Sequence, residues 1–251
     1  MPARLFVDTP LSYGASLALP PGPARHVQVL RLQPGAAITL FDGRGGEFAA
    51  TVTQMGRSDV QVQVGAHDPV QRELARPVTL ARGMPANERM DTLIEKATEL
   101  GVASIAPLIC ERSVLRLQGE RAEKKLAHWR GVAIAASEQS GRTWVPALNA
   151  VTALPAWLAA LPAPGHDGVR WLLSFQADAP ALAQAAAALA EAQTPVLVLS
   201  GPEGGLSPAE EALAIRCGFT PVGLGPRVLR ADTAPLAVLA WLGLTATGPA
   251  T

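Results

Sequence analysis

The sequence predicts a small all-β domain followed by an α/β domain built on a mostly parallel sheet. Three observations support this. Period-two alternation marks the first 72 residues, most clearly in VQVQVG from Val60. From residue 73 onward, short apolar runs alternate with helical patterns, the signature of a parallel sheet covered on both faces. The chain has 251 residues, of which 49% are hydrophobic and 17% charged, enough to build the cores of two modest domains.

Taken in order, RLFV at residues 4–7 is a short strand. Pro20, Pro21, Gly22 and Pro23 mark a loop before RHVQVLRL, where His26 is open to two readings, a half-buried strand residue or a nucleic-acid contact. ITLFDGRGGEFAATV reads as a hairpin, two apolar runs around the Asp42-Gly43 turn signal. VTLARGM is the first strand of the second domain. ERMDTLIEKATELG then places Met90, Leu93, Ile94, Ala97 and Leu100 at helical spacing, with Gly101 as its stop. VASIAPLI is a strand, and a long helix runs from Glu120 to about Ser140. Leu154–Gly168, rich in proline and alanine, reads as a surface connection. VRWLLSF is a strand, Pro180–Ala192 an alanine-rich helix, PVLVLS a strand, and Ser207 opens the next helix. FTPVGLG is the last strand, and Thr233 to about Thr245 the last helix.

Charge and cysteine content exclude several classes. The 21 basic and 21 acidic side chains cancel, so any nucleic-acid surface is local. Residues 112–142 hold seven cations against three anions, which is either such a surface or a solvated helix face. Cys110 and Cys217 form no metal-ligand pattern and no disulfide framework. MPARLFVDTP lacks the apolar run of a signal peptide, and APLAVLAWLGLTA falls short of the roughly 20 residues that span a bilayer. The expected compartment is the cytoplasm.

Two turns carry the chemistry. LSGPEGGLSPAEE, from Leu199, passes from a strand into a helix through Gly201, Pro202, Glu203, Gly204 and Gly205. Neither the lysine of a P-loop nor the GxGxxG spacing is present, and GxSxG is missing. Ser207, Pro208 and Glu210 are good helix-start chemistry, with Glu210 completing a capping box, but they do not account for three glycines within five residues. VGLGPRVLRADTA repeats the arrangement with Gly223 and Gly225, and Asp232 or Thr233 caps its helix. In a parallel sheet the C-terminal strand ends share one edge, so both turns can line one crevice and clasp an adenine and ribose with backbone groups.

Taken together, GPEGGLSPAEE and LGPRVLRADTA resemble the ribosomal RNA small-subunit methyltransferase E family of the SPOUT superfamily. ERMDTLIEKATELGV, the Glu138-Gln139, Arg142 and Pro146 segment, and HVQVLRLQPGAAITLFDG extend the resemblance over nearly the whole chain. It implies a PUA-like β-barrel RNA-binding domain over residues 1–72 and a SPOUT domain with a deep trefoil knot over 73–251. It also implies a homodimer that uses S-adenosylmethionine to methylate N3 of a uridine in small-subunit ribosomal RNA, within an assembled or assembling 30S particle. Cofactor contacts fall on Leu199, Gly201, Pro202, Glu203, Gly204, Gly205, Leu224, Gly225, Val228, Leu229 and Thr233. Arg230 would hold the developing charge or the target phosphate, and Glu138 would act as a base or an orienting group. RNA contacts fall on Arg4, His26, Arg31, Arg112 and Arg142. No metal is implied.

The chain departs from the family at Ala231 and Asp232, where threonine and glutamate are usual, and at Pro235. The alternatives are a related SPOUT enzyme acting on another RNA or on a ribose 2′-hydroxyl, a non-catalytic RNA-binding factor with the same fold, and a metabolic enzyme using another adenine-containing cofactor.

Overall fold

The computed structural model describes residues 2–57, 59–85, 89–166, 168–176, 178–189, 191 and 193–245. The chain forms two compact units, Met1–Glu73 with Ile134–Val145, and Leu74–Ala133 with Pro146–Thr251.

The first unit carries five strands: β1 (Ala3–Phe6), β2 (Ser16–Ala18), β3 (Ala37–Phe41), β4 (Glu47–Met55) and β5 (Val60–Asp68). They form one sheet in the order β1-β3-β4-β5-β2. β1 runs parallel to β3, and the other pairs are antiparallel. The alternation in β5 buries Val60, Val62 and Val64 against Leu5, Ile38, Leu40 and Val52. Burying each such side chain contributes about 1.5–3 kcal/mol.

The Pro20–Pro23 segment is not a loop. Pro21–Val29 is helix α1, with Pro20 as its N-cap. Proline is favoured in a first turn because the amide it lacks would have no partner there. Val27 is fully buried while Val29 is 70% exposed, although an alternating strand would place both on one face. The helix closes at Arg31, whose φ of 53° lies in the left-handed region. For a non-glycine residue that conformation costs about 1–2 kcal/mol.

The second unit is a parallel α/β sheet. Its strands are β6 (Val78–Gly83), β7 (Ser104–Ile109), β8 (Ala147–Leu148), β9 (Thr152–Ala153), β10 (Val169–Leu173), β11 (Val196–Ser200) and β12 (Thr220–Val222). The order is β12-β10-β11-β6-β7-β8, with β9 also on β7, and every pair is parallel. The helices are α2 (Arg89–Glu99), α3 (Gly119–Ser140, whose residues from Ile134 belong to the first unit), α4 (Leu154–Ala159), α5 (Leu182–Ala187), α6 (Pro208–Arg216) and α7 (Thr233–Thr245).

Two expectations change here. Leu154–Gly168 is not all surface connection, because α4 buries Leu154 and Leu158 against Leu172, Leu199 and Ala214. The alanine-rich helix is shorter than the pattern suggests, ending at Ala187, and residues 190 and 192 lie outside the described residues. Alanine favours helix but supplies little apolar surface to bury, and tertiary burial is what lengthens a short helix. α7 buries Pro235, Val238, Leu239 and Leu242. Pro235 stands in the first turn, where its missing amide costs nothing. Among the described residues, no helix is long and apolar enough to cross a membrane.

Candidate functional site

The GPEGG turn is held from three sides. Below it, Gly83 at the end of β6 has no room for a side chain: an added Cβ would lie 2.6 Å from Pro202 Cδ and 2.7 Å from Pro202 N. This glycine lets the turn settle onto the strand end. Beside it, Arg112 Nη1 donates to the carbonyls of Gly204 (2.9 Å) and Leu206 (3.2 Å). Behind it, Ser207 and Glu210 form the expected capping box, with Glu210 N donating to Ser207 Oγ and Ser207 N to Glu210 Oε2. The remaining oxygen of Glu210 accepts from Glu111 N at 2.7 Å, tying α6 to the turn that follows β7.

The three glycines serve three purposes. Gly201 permits a close approach, since its Cβ would lie 2.6 Å from Leu206 N and 2.7 Å from Gly205 C. Gly205 takes a left-handed φ of 68°. Gly204 faces the stem of Arg112, with 3.3 Å between its would-be Cβ and that of the arginine.

The two glycine turns meet in one cavity at the C-terminal ends of β10 and β11. Gly201, Pro202, Glu203 and Gly205 line it from the first turn, and Leu224, Gly225, Val228 and Leu229 from the second. Sequence reasoning missed its third wall, Leu173, Ser174 and Phe175, which follows β10. It also missed Ser200, Leu206, Glu211, Arg227, Ala231 and Ala234. The β10 end carries no glycine to draw attention, although its place beside β11 in a parallel sheet is a usable signal. The walls are mainly apolar, with two carboxylates, Glu203 and Glu211, and one guanidinium, Arg227. Such a lining suits a flat heterocycle recognised by backbone groups together with a cationic centre. Glu203 also pairs with Arg89 at 3.3 Å.

Four of the expected cofactor and charge-holding residues stand outside this lining. Leu199 is fully buried in the core, and Gly204 lies on the Arg112 side. Thr233 is exposed at the start of α7, where Asp232 Oδ1 accepts from its amide at 3.1 Å. Arg230 is exposed, and among the described residues its guanidinium has no ion-pair partner.

Glu138 lies in the first unit, on α3. Its carboxylate accepts from Phe6 N at 2.9 Å and stands 3.8 Å from His26 Nδ1. Burial raises its pKa, against the opposing pull of the Phe6 amide, His26 and Arg4. The native state therefore holds this proton to a higher pH than the unfolded chain does. Stability is lost as pH climbs through the unfolded value and past the folded one. Glu138→Gln should melt higher than the parent at pH 7.5, by about 2–4 °C per kcal/mol of relief, with the gap closing toward about pH 4. Thermal melts across pH check this, and an unchanged gap at low pH would contradict it.

The RNA-contact candidates divide. His26, Arg31 and Arg112 are exposed. Arg4 pairs with Glu47, donates to the Arg142 carbonyl at 2.9 Å and lies over the Phe41 ring. Burial alone would raise the Glu47 carboxyl, but hydrogen bonds from Arg72 and Arg4 outweigh it and hold it below its ordinary value. Arg142 is buried, and Glu73 engages it through Nε and Nη2. Both arginines act as struts inside the first unit, a role their spacing in sequence does not reveal.

Comparison with known proteins gives this architecture a class. Residues 72–243 match the model of an RNA methyltransferase domain, and residues 24–65 that of an RNA methyltransferase PUA domain. The ribosomal RNA small subunit methyltransferase E of Synechocystis is 33% identical over 96% of this chain and 77% of its own length. That of Mycobacterium bovis is 32% identical over 97% and 92%. The crystal structure of ribosomal RNA small subunit methyltransferase E from Neisseria gonorrhoeae, bound to S-adenosyl methionine, aligns with a TM-score of 0.88 at 35% identity, covering 96% of this chain and 97% of that one. A putative methyltransferase from Legionella pneumophila in complex with the same cofactor aligns with a TM-score of 0.88 at 32% identity over the same shares. The chain is thus built as an RNA methyltransferase with a PUA domain, and it belongs to the ribosomal RNA small subunit methyltransferase E family.

Proposed function

We propose that the protein uses S-adenosylmethionine to methylate N3 of a uridine in small-subunit ribosomal RNA. The observation that carries this reading is the convergence of two glycine turns and the β10 end on one apolar cavity bearing two carboxylates. The turns would clasp the adenosine with backbone groups, and Glu203 and Glu211 would face the sulfonium. When bound, the cofactor supplies an electrophilic methyl group. The transfer joins that methyl to N3, leaves S-adenosylhomocysteine and releases the N3 proton.

Loss of that proton leaves negative charge spread over the uracil. Arg230 holds this charge or the adjoining phosphate, and it is free to do so because no other side chain among the described residues engages it. Glu138, raised by burial, serves as proton acceptor or orienting group. Residues 1–72 form the RNA-binding part, with His26 and Arg31 on the phosphates, and residues 73–251 the cofactor-binding part, to which Arg112 belongs as a further phosphate contact. The left-handed backbone at Arg31 supports a binding role, since glycine would relieve that strain but contribute no charge. The net charge of zero favours a folded ribosomal particle over free RNA as substrate. A trefoil knot through the two glycine turns, a homodimer and a cytoplasmic location complete the reading. β11, which is sandwiched between β10 and β6, is consistent with the knot.

The test is incubation with methyl-labelled S-adenosylmethionine and unmodified 30S particles, followed by nucleoside analysis. 3-Methyluridine at one site is expected. Label on a ribose 2′-hydroxyl, or no label despite cofactor binding, would overturn the assignment.

A further inference from the structure

Arg82 is the penultimate residue of β6 and has no solvent exposure. All three of its guanidinium nitrogens are buried, and among the described residues none has a hydrogen-bond partner. A buried guanidinium normally meets a carboxylate or several carbonyls, because its five donors lose water on folding. Arg142 follows that rule, with Glu73 on its guanidinium. Arg170 follows it too, donating to the carbonyls of Cys217 and Pro162 at 2.7 Å each. Arg82 is the exception, and it stands beside the cavity. Its register partner on β11 is Ser200, which lines the cavity, so the two side chains share one face of the sheet. Burial lowers its pKa to about 10, while Glu203, Cys110 and Asp232 pull the other way, so it remains cationic at neutral pH. Glu203 lines the cavity, and Asp232 follows the lining residue Ala231.

We propose that Arg82 is an anion receptor for the reaction, turning on its flexible stem toward the Ser200 side of the cavity to meet a planar, delocalised oxyanion. Two groups of the reaction have that chemistry, the carboxylate of the cofactor's methionine part and a carbonyl oxygen of the deprotonated uracil, over which the N3 charge is delocalised. The carboxylate presents two acceptors to the guanidinium fork, and the uracil presents an oxygen whose engagement leaves the N3 lone pair open to the methyl group. The inference rests on the methyltransferase reading above, because both groups belong to that reaction.

The test uses Arg82→Met and Arg82→Gln in the full chain. Calorimetry with S-adenosylmethionine and with 5′-methylthioadenosine, which lacks the amino-acid part, separates the sources. A cofactor carboxylate on Arg82 predicts at least tenfold weaker S-adenosylmethionine binding and unchanged methylthioadenosine binding. A uracil anion on Arg82 predicts unchanged affinity for both and a single-turnover methylation rate at least tenfold lower at saturating cofactor. In both cases Arg82→Met should melt no lower than the parent, since it removes an unpartnered buried charge. A lower melting temperature, or unchanged affinity together with an unchanged rate, would overturn the proposal. Failure of the parent protein to bind S-adenosylmethionine would instead overturn the methyltransferase reading on which it rests.

Discussion

Arg230→Ala should lose methyl transfer by about 10²–10³-fold, the usual effect of removing one group aimed at developing charge, while binding S-adenosylmethionine and melting as the parent does. The separation is expected because the fold uses the backbone of this residue and not its side chain. The Arg230 carbonyl accepts from the amides of Thr233 (3.0 Å) and Ala234 (3.1 Å), which starts α7. That contact survives truncation to alanine. The side chain is exposed, and among the described residues it has no ion-pair partner, so its removal leaves no carboxylate stranded. Single-turnover rates with saturating cofactor provide the measurement. Undiminished turnover would remove Arg230 from the chemistry, and lost cofactor binding would reassign it to the pocket.

Gly201→Val should weaken S-adenosylmethionine binding by at least about a hundredfold, corresponding to about 2.7 kcal/mol. The reason is steric. The first added carbon meets Leu206 N at 2.6 Å and Gly205 C at 2.7 Å, both backbone atoms with no side-chain freedom to yield. The turn must open, and with it the wall formed by Gly201, Pro202, Glu203 and Gly205. Gly204→Ala is the matched control. Its Cβ would meet Arg112 Cβ at 3.3 Å and Cδ at 3.4 Å, at the edge of ordinary contact and far looser than the 2.6 Å at Gly201, so a shift of a few tenths of an ångström accommodates it. Calorimetric titration of both variants should show near-parental affinity for Gly204→Ala alone. Equal affinity in both would move the cofactor away from this turn.

The sequence was most readable where local chemistry and tertiary role coincide. Ser207, Pro208 and Glu210 specify a helix start by themselves, and the structure has the capping box they imply. Met90, Leu93, Ile94 and Ala97 form one stripe and are all buried. Legibility failed where burial decided between two periods. HVQVL alternates like a strand, yet it is helical, and only the burial of Val27 without Val29 distinguishes the two. α4 hid inside a proline-rich stretch because it is only six residues long, held by buried Leu154 and Leu158 with partly buried Trp157.

The same limit applied at the site. Glycine turns are visible because close backbone approach and left-handed φ select glycine, and the first-turn glycines do sit against the cavity or its supports. Phe175 and Leu173 became lining residues only through the neighbourhood of β10 and β11, which no local pattern encodes. Arg4 and Arg142 were readable as cations but not as struts, because Glu47 and Glu73 lie 43 and 69 residues away in sequence. Arg82 left a trace, a charge interrupting the apolar run VTLARG, whose meaning emerges only from its burial.

The place of β11 between β6 and β10 also orders the birth of the protein. β6 ends at Gly83, and the strand that must fill its open edge begins at Val196, more than a hundred residues later. During synthesis β6 can pair with β7 but presents its other edge unfilled until β11 arrives. Such long-range parallel pairing is slow and leaves a nascent chain open to mispairing. The second glycine turn is made later still, so the cavity cannot close until the chain through Ala234 has been made. The ligand therefore cannot template the early pairing of β6 with β7, and it acts as a clamp only once both glycine turns exist.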